Sequence, residues 1–196
     1  MILVHPRKLV RRFLHSYNCW LFAFSCKRKG VSVSIGNNCI LYRCFIKSGG
    51  GPKVIIEDNC SLDCCRFHFY GEGGRIIIRQ GTTINARQGA LCMFVRGETS
   101  IEVGKNCLIA HSVEMSTTDF HSVLDSDGEV MNADSSIVIG NHVWIGKRVT
   151  INKGVKISDG SIVGASSVVT KEFLTSNILI AGNPAVMKKQ SVVWTR

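Results

Sequence analysis

Between Ile139 and Lys171 an aliphatic residue recurs at every sixth position: Ile139, Ile145, Ile151, Ile157, Val163 and Val169. Four places after the first five of these stands a small or β-branched residue, namely Val143, Val149, Val155, Ser161 and Ser167. A helix needs apolar residues at mixed spacings of three and four, and that pattern is absent. A strict period of six predicts instead that a short strand and a turn recur as one unit. Strands this short cannot bury an apolar face alone, so successive turns must stack and cover each other's openers. Gly140, Gly146, Gly154, Gly160 and Gly164 fall near the corners of such a coil, where a positive φ or a missing side chain is useful.

The same signature reaches back to residue 31 in a looser form. Aliphatic-x-aliphatic pairs precede a polar turn at Val33/Ile35, Val54/Ile56, Ile76/Ile78, Ile101/Val103, Ile137/Ile139 and Val155/Ile157. Residues 1–30 differ in kind. Leu9, Phe13, Tyr17, Trp20 and Phe24 follow helical spacing, with Val10, Leu14 and Leu21 beside them and Arg7, Lys8, Arg11, Arg12 and His15 supplying charge. This predicts a basic amphipathic helix that starts near Pro6. Its longest apolar run, Cys19 to Ser25, is too short to span a bilayer. No small-residue cleavage site precedes Lys27-Arg28-Lys29, which argues against a signal peptide. Two readings of the helix stand: it docks on an anionic membrane face, or it plugs the open end of the coil and covers its edge.

With 196 residues, 45% of them hydrophobic, the chain suits one domain with appendages. Its net charge of +10 calls for an anionic partner such as a phosphate, an acidic glycan or a membrane surface. Nucleic acid is not expected, because no recognition motif is present and basic residues are spread along the chain. The nine Cys are odd in number and form no metal-type CxxC pairs. Cys39, Cys60 and Cys107 take the inward small position of their repeats, as reduced core filler in a cytoplasmic protein does.

In a polar loop, His121 follows Asp119-Phe120 and precedes the block Ile139-Gly140-Asn141-His142-Val143-Trp144-Ile145-Gly146. With the repeat and the later Gly182-Asn183-Pro184-Ala185, this resembles the hexapeptide-repeat acyltransferases, and among them the sugar O-acetyltransferases. The resemblance covers about residues 31–190 and is strongest from Asp119 to Pro184. It implies an all-β, left-handed parallel β-helix with three faces and eighteen residues per coil. Against that count, the openers Ile35, Ile56, Ile78, Val103, Ile139 and Ile157 lie 21, 22, 25, 36 and 18 residues apart. Small corner insertions, such as Ser48–Pro52 and Gly71–Gly74, account for the first excesses, and a whole segment over 116–136 for the largest. The expected organisation is a helix over 1–30, a coil over 31–173 and a closing tail over 174–196.

A loop histidine, with an ordinary pKa near 6.5, is suited to removing the proton of an attacking hydroxyl; the resemblance puts His121 in the catalytic place. Asp119 either orients the imidazole, meets the acceptor or forms a turn. Asn85 resembles the acceptor-contacting Asn of sugar acetyltransferases, and a turn-forming Asn is the plain alternative. Trp144, at an outward corner, is expected against coenzyme A or against a neighbouring subunit. The resemblance matches Ala165 to a residue whose amide meets the pantetheine arm, and Lys147, Thr170 and Lys171 to the donor channel. Lys188 and Lys189 are placed at the adenosine end. The implied reaction moves an acetyl group from acetyl-CoA to a hydroxyl of a capsule or lipopolysaccharide sugar, in a homotrimer. An N-acetyltransferase acting on an amino sugar, a trimeric scaffold without turnover and a zinc lyase of the same fold are the alternatives. The last needs a closely spaced His pair, whereas His111 and His121 are ten apart.

Overall fold

The computed structural model describes the backbone of residues 6–196 and the side chains of residues 16–196. Strands stack in three sheets, parallel except for the antiparallel last pair of the second, that form the sides of a left-handed β-helix of six full coils. The first sheet holds Ser32–Ile35, Lys53–Ile56, Arg75–Ile78, Ser100–Val103, Ile137–Ile139 and Lys156–Ile157. The second holds Ile40–Tyr42, Ser61–Asp63, Thr83–Asn85, Leu108–Ile109, Trp144–Ile145 and Ile162–Val163, and continues into Leu179–Gly182 and Ala185–Lys189. The third holds Phe45–Lys47, Cys65–Tyr70, Leu91–Arg96, Glu114–Ser116, Thr150–Ile151 and Val168–Val169.

Register explains the spacing of the openers. Ile35 pairs with Ile56, Ile56 with Ile78, Ile78 with Val103, Val103 with Ile139 and Ile139 with Ile157, so the insertions between them never disturb the ladder. From Ile56 to Ile157 these openers are buried, with Ile84, Ile109, Ile145 and Val163 filling the second side and Met93, Met115, Ile151 and Val169 the third. At the corner between the first and second sheets, Asn38, Asn59, Asn106, His142 and Asn177 all take positive φ. Asn tolerates this conformation because its short amide bonds locally. Cys26, Cys39, Cys60, Cys65 and Cys107 are buried, and burial pushes the thiols of Cys26, Cys60 and Cys107 up to about 11.

The helix runs from Pro6 to Arg28. Phe22 and Cys26 are buried in the core, and the Phe22 ring meets Phe67 edge-on at 5.9 Å. Full burial of one such aromatic is worth about 1.5–3 kcal/mol, so the helix caps the first coil. Tyr17, Trp20 and Phe24, from the apolar stripe predicted by spacing, face outward. The plug is thus made by a different face from the one the periodicity selects. Leu9, Val10, Phe13, Leu14 and the basic Arg7, Lys8, Arg11, Arg12 and His15 lie outside the described side chains.

A candidate active site split between two corners

Insertions share one edge of the prism. Segments 48–52, 71–74, 97–99 and 117–136 all join a third-sheet strand to the next first-sheet strand. The long loop therefore rises from a corner already widened by three coils beneath it, and several side chains of those coils fix its base. Arg96 N–H and the Thr99 hydroxyl both donate to Thr117 Oγ1, at 3.1 and 2.7 Å. The Arg96 guanidinium donates to the Phe120 carbonyl at 3.1 Å. Phe120 has φ 65°, a conformation that a bulky residue rarely holds unless its surroundings impose it. Its ring is wedged edge-on against Tyr70 at 5.2 Å and Phe94 at 5.8 Å, and its N–H is taken by Thr118 Oγ1 at 3.0 Å.

Asp119 and Asn132 brace the loop from the other side. The Lys153 ammonium lies 2.6 Å from Asp119 Oδ2, and Asn132 Nδ2 donates to the same oxygen at 2.9 Å. Asn132 also donates to the His121 carbonyl at 2.9 Å and accepts from Val123 N–H at 2.6 Å, while Lys153 donates to the Asn132 carbonyl. Lys153 first, then Asn132, holds the Asp119 carboxyl below its ordinary pKa. Beyond the brace, residues 123–131 form a small hairpin closed by Asp125 Oδ1, which accepts from Asp127 N–H and Glu129 N–H. At the apex side of the brace, His121 is exposed, and among the described residues its imidazole has no hydrogen-bond partner. Asp119 does not hold that ring. Its Oδ2 is committed to Lys153 and Asn132, and among the described residues its Oδ1 has no partner.

Thr170 and Lys171 share this corner: Asn152 N–H, next to Lys153, donates to Val169 one coil on. The Lys171 ammonium rests over its own Phe173 ring at 5.9 Å. The remaining expected residues gather on the second sheet and at the corner between the second and third. Trp144 stands between Leu108 and Ile162 in the ladder, and Lys147 lies beside the next coil's turn, its carbonyl accepting from Ser166 N–H at 2.8 Å. Gly146 is needed here: a Cβ would come within 2.7 Å of Ala165 N. Ala165 is exposed, and among the described residues its N–H meets no acceptor. Asn85 is exposed two coils below, in register with the buried Asp63, which pairs with Arg87. Lys189 is exposed on the last strand, opposite Leu179. Within one chain the third sheet separates this set from His121. It separates His111 from His121 in the same way.

Trp144 is 40% exposed, and part of its cover comes from an unexpected place. The tail folds back so that Trp194 stacks on His142 at 4.1 Å and tilts against Trp144 at 6.1 Å. Trp194 Nε1 donates to the His142 carbonyl at 2.9 Å, and Arg196 donates to the Gly81 and Cys107 carbonyls at 3.1 and 2.9 Å. Lys153, Asn132, Phe120 and Trp194 are thus structural members of the site that spacing alone does not single out.

Residues 136–171 match the family described as bacterial transferase hexapeptide (six repeats). The crystal structure of the polysialic acid O-acetyltransferase OatWY superposes with a TM-score of 0.78 at 34% identity, covering 85% of this chain and 77% of that one. The chain belongs to the hexapeptide-repeat acyltransferases. A polysialic acid O-acetyltransferase from Neisseria meningitidis is 36% identical over 124 residues, 58% of this chain and 51% of that protein. This hexapeptide-repeat acyltransferase therefore spans about half the length of that relative. AntD from Bacillus cereus, an N-acyltransferase solved in complex with dTDP and 3-hydroxybutyryl-CoA, shares the fold at 20% identity and TM-score 0.59, covering 84% and 85% of the two chains.

Proposed function

We propose that the protein transfers an acetyl group from acetyl-CoA to a sugar hydroxyl of an acidic surface glycan, with His121 as the general base. One observation carries this reading: an exposed imidazole without a partner among the described residues, set directly after the strained Phe120 on a backbone braced by Asp119, Asn132 and Lys153. A base that is fixed at its backbone and free at its ring is ready to receive a proton. The acceptor hydroxyl attacks the thioester carbonyl and gives its proton to His121. Backbone N–H groups stabilise the oxyanion, and the collapsing intermediate expels the thiolate, which takes the proton back from the imidazolium.

Trp144, Lys147 and Ala165 are assigned to the donor. The unpaired Ala165 amide suits the carbonyls of a pantetheine arm, and Lys147 suits its phosphates. Thr170 and Lys171 line the end beside the His121 loop and Lys189 the adenosine end. Asn85 is assigned to the acceptor, together with Oδ1 of Asp119. Because one chain keeps these two corners apart, a second chain must bring its second corner to the first chain's loop, and the reading takes a homotrimer. Polysialic acid, the substrate named for the OatWY relative, is the first acceptor to try. Free thiols buried in the core suit a reducing cytoplasm. Among the described residues no helix is long and apolar enough to cross a membrane.

The test is release of free thiol from acetyl-CoA in the presence of polysialic acid, other capsule and lipopolysaccharide glycans, and amino sugars. Glycan-dependent release with an ester product is the expected result. Amide product from an amino sugar alone overturns the assignment of the acceptor, and no transfer to any acceptor overturns the enzyme reading in favour of a scaffold.

A further inference from the structure

The charge of this protein is not shared out evenly. Residues 1–56 contain ten Lys or Arg and no Asp or Glu, the first acidic residue being Glu57. The whole chain has 24 basic and 14 acidic residues, so the part after residue 56 carries 14 of each and is neutral. The entire surplus of +10 therefore belongs to the helix, its preceding residues and the first coils. The helix itself contains no acidic residue, and it closes with Lys27 and Arg28, both exposed.

On the outward side of that helix Tyr17, Trp20 and Phe24 stand three and four residues apart, and so on one face. Their rings stack in a row, 6.2 Å from Tyr17 to Trp20 and 5.5 Å from Trp20 to Phe24. Trp20 is 58% exposed. The Arg28 guanidinium sits 6.0 Å from the Phe24 ring. None of these rings is needed to hold the helix down, because Phe22 and Cys26 on the opposite face do that. A rigid aromatic row next to exposed cations, on a helix without a single carboxylate, has the chemistry of a bilayer interface. Trp and Tyr settle at headgroup depth, and Lys and Arg meet anionic lipid.

We propose that the outward face of the N-terminal helix docks the protein on an anionic phospholipid surface through Tyr17, Trp20, Phe24, Lys27 and Arg28. The contact is peripheral and reversible, since one aromatic row and a few charges fall far short of a spanning segment. It holds the helix-capped end of the coil at the membrane without using either corner of the candidate site. The proposal is independent of the proposed function.

The intact chain is tested by co-sedimentation with phosphatidylcholine vesicles, with and without phosphatidylglycerol. Binding is expected only with the anionic lipid, and it should weaken as salt rises. Tyr17→Ser, Trp20→Ser and Phe24→Ser together are expected to weaken it about tenfold or more, with the melting temperature kept. Neutralising Lys27 and Arg28 by Gln is expected to cost about fivefold per charge. Three outcomes overturn the proposal. One is no binding to anionic vesicles. Another is a triple variant that changes the mass of the assembly in light scattering while binding vesicles as before, which makes the row an interface between copies. The third is capture by a soluble polyanion such as dextran sulfate that ignores the aromatic substitutions and fully replaces the vesicles.

Discussion

Replacing Lys153 by Met removes the ammonium that pins the His121 loop but keeps most of the side chain's carbon stem. Two contacts go: the ion pair to Asp119 and the hydrogen bond to the Asn132 carbonyl. The Lys153 side chain is 19% exposed and that of Asp119 47%, so the pair is partly screened and worth at most about 1 kcal/mol. The hydrogen bond adds about 0.5–1.5 kcal/mol. Together they shift the equilibrium between braced and released loop by about 1–2 kcal/mol, or roughly 5- to 30-fold. Amide exchange at Val123, whose N–H is held by Asn132, should accelerate by that factor, whereas amides of the stacked coils should not change. The loop lies outside the core, so the melting temperature should hardly move while kcat/KM falls. The brace also has a pH signature. Asp119 has a folded pKa below its ordinary value, so its contribution is complete above the unfolded carboxyl pKa of about 4 and is lost as pH falls through the lowered folded value. Exchange protection of the loop, corrected for intrinsic rates, should therefore be flat from about pH 8 to 5 and drop in stronger acid. Wild-type exchange rates at Val123 in the Lys153→Met protein would refute the brace.

Three further outcomes are expected. Trp194→Ala removes a ring that is 6% exposed, with its stack on His142, and frees the tail; the Trp144 emission should shift to the red, and the stability loss should reach about 2–3 kcal/mol in urea titrations. An unshifted emission would mean that the tail does not cover Trp144. Gly146→Ala drives a Cβ to within 2.7 Å of the Ala165 backbone nitrogen, so the coils must part and the unfolding free energy from urea titration should fall by about 2 kcal/mol or more; an unchanged unfolding free energy contradicts the stacking described here. Mixing inactive His121→Ala with inactive Ala165→Trp subunits should restore about a quarter of the wild-type sites if each site joins the loop of one chain to the second corner of another. No restoration after verified subunit exchange would place the whole site in one chain.

The coil was legible because its evidence is local and periodic. The openers from Ile35 to Ile157 end their first-sheet strands in the expected register, and the segment predicted over 116–136 is the loop between Glu114–Ser116 and Ile137–Ile139. The position of His121 on that loop followed from the same spacing. Its supports did not. Lys153 reaches Asp119 from 34 residues away and Trp194 reaches His142 from 52 residues away, and contacts of that range leave no period in a sequence. Which face of the helix packs on the coil was not legible for a different reason. Both of its faces carry apolar residues, and periodicity favours the longer aromatic row over Phe22 and Cys26, which make the contact.

In the proposed reaction the imidazole of His121 takes the acceptor's proton. A single-turnover measurement of acetyl transfer to the best acceptor, comparing wild type with His121→Ala at saturating acetyl-CoA, addresses it directly. The expected result is a fall in the transfer rate of about 10²–10⁴ with donor affinity and melting temperature unchanged. A His121→Ala protein that transfers acetyl groups at the wild-type rate would contradict it.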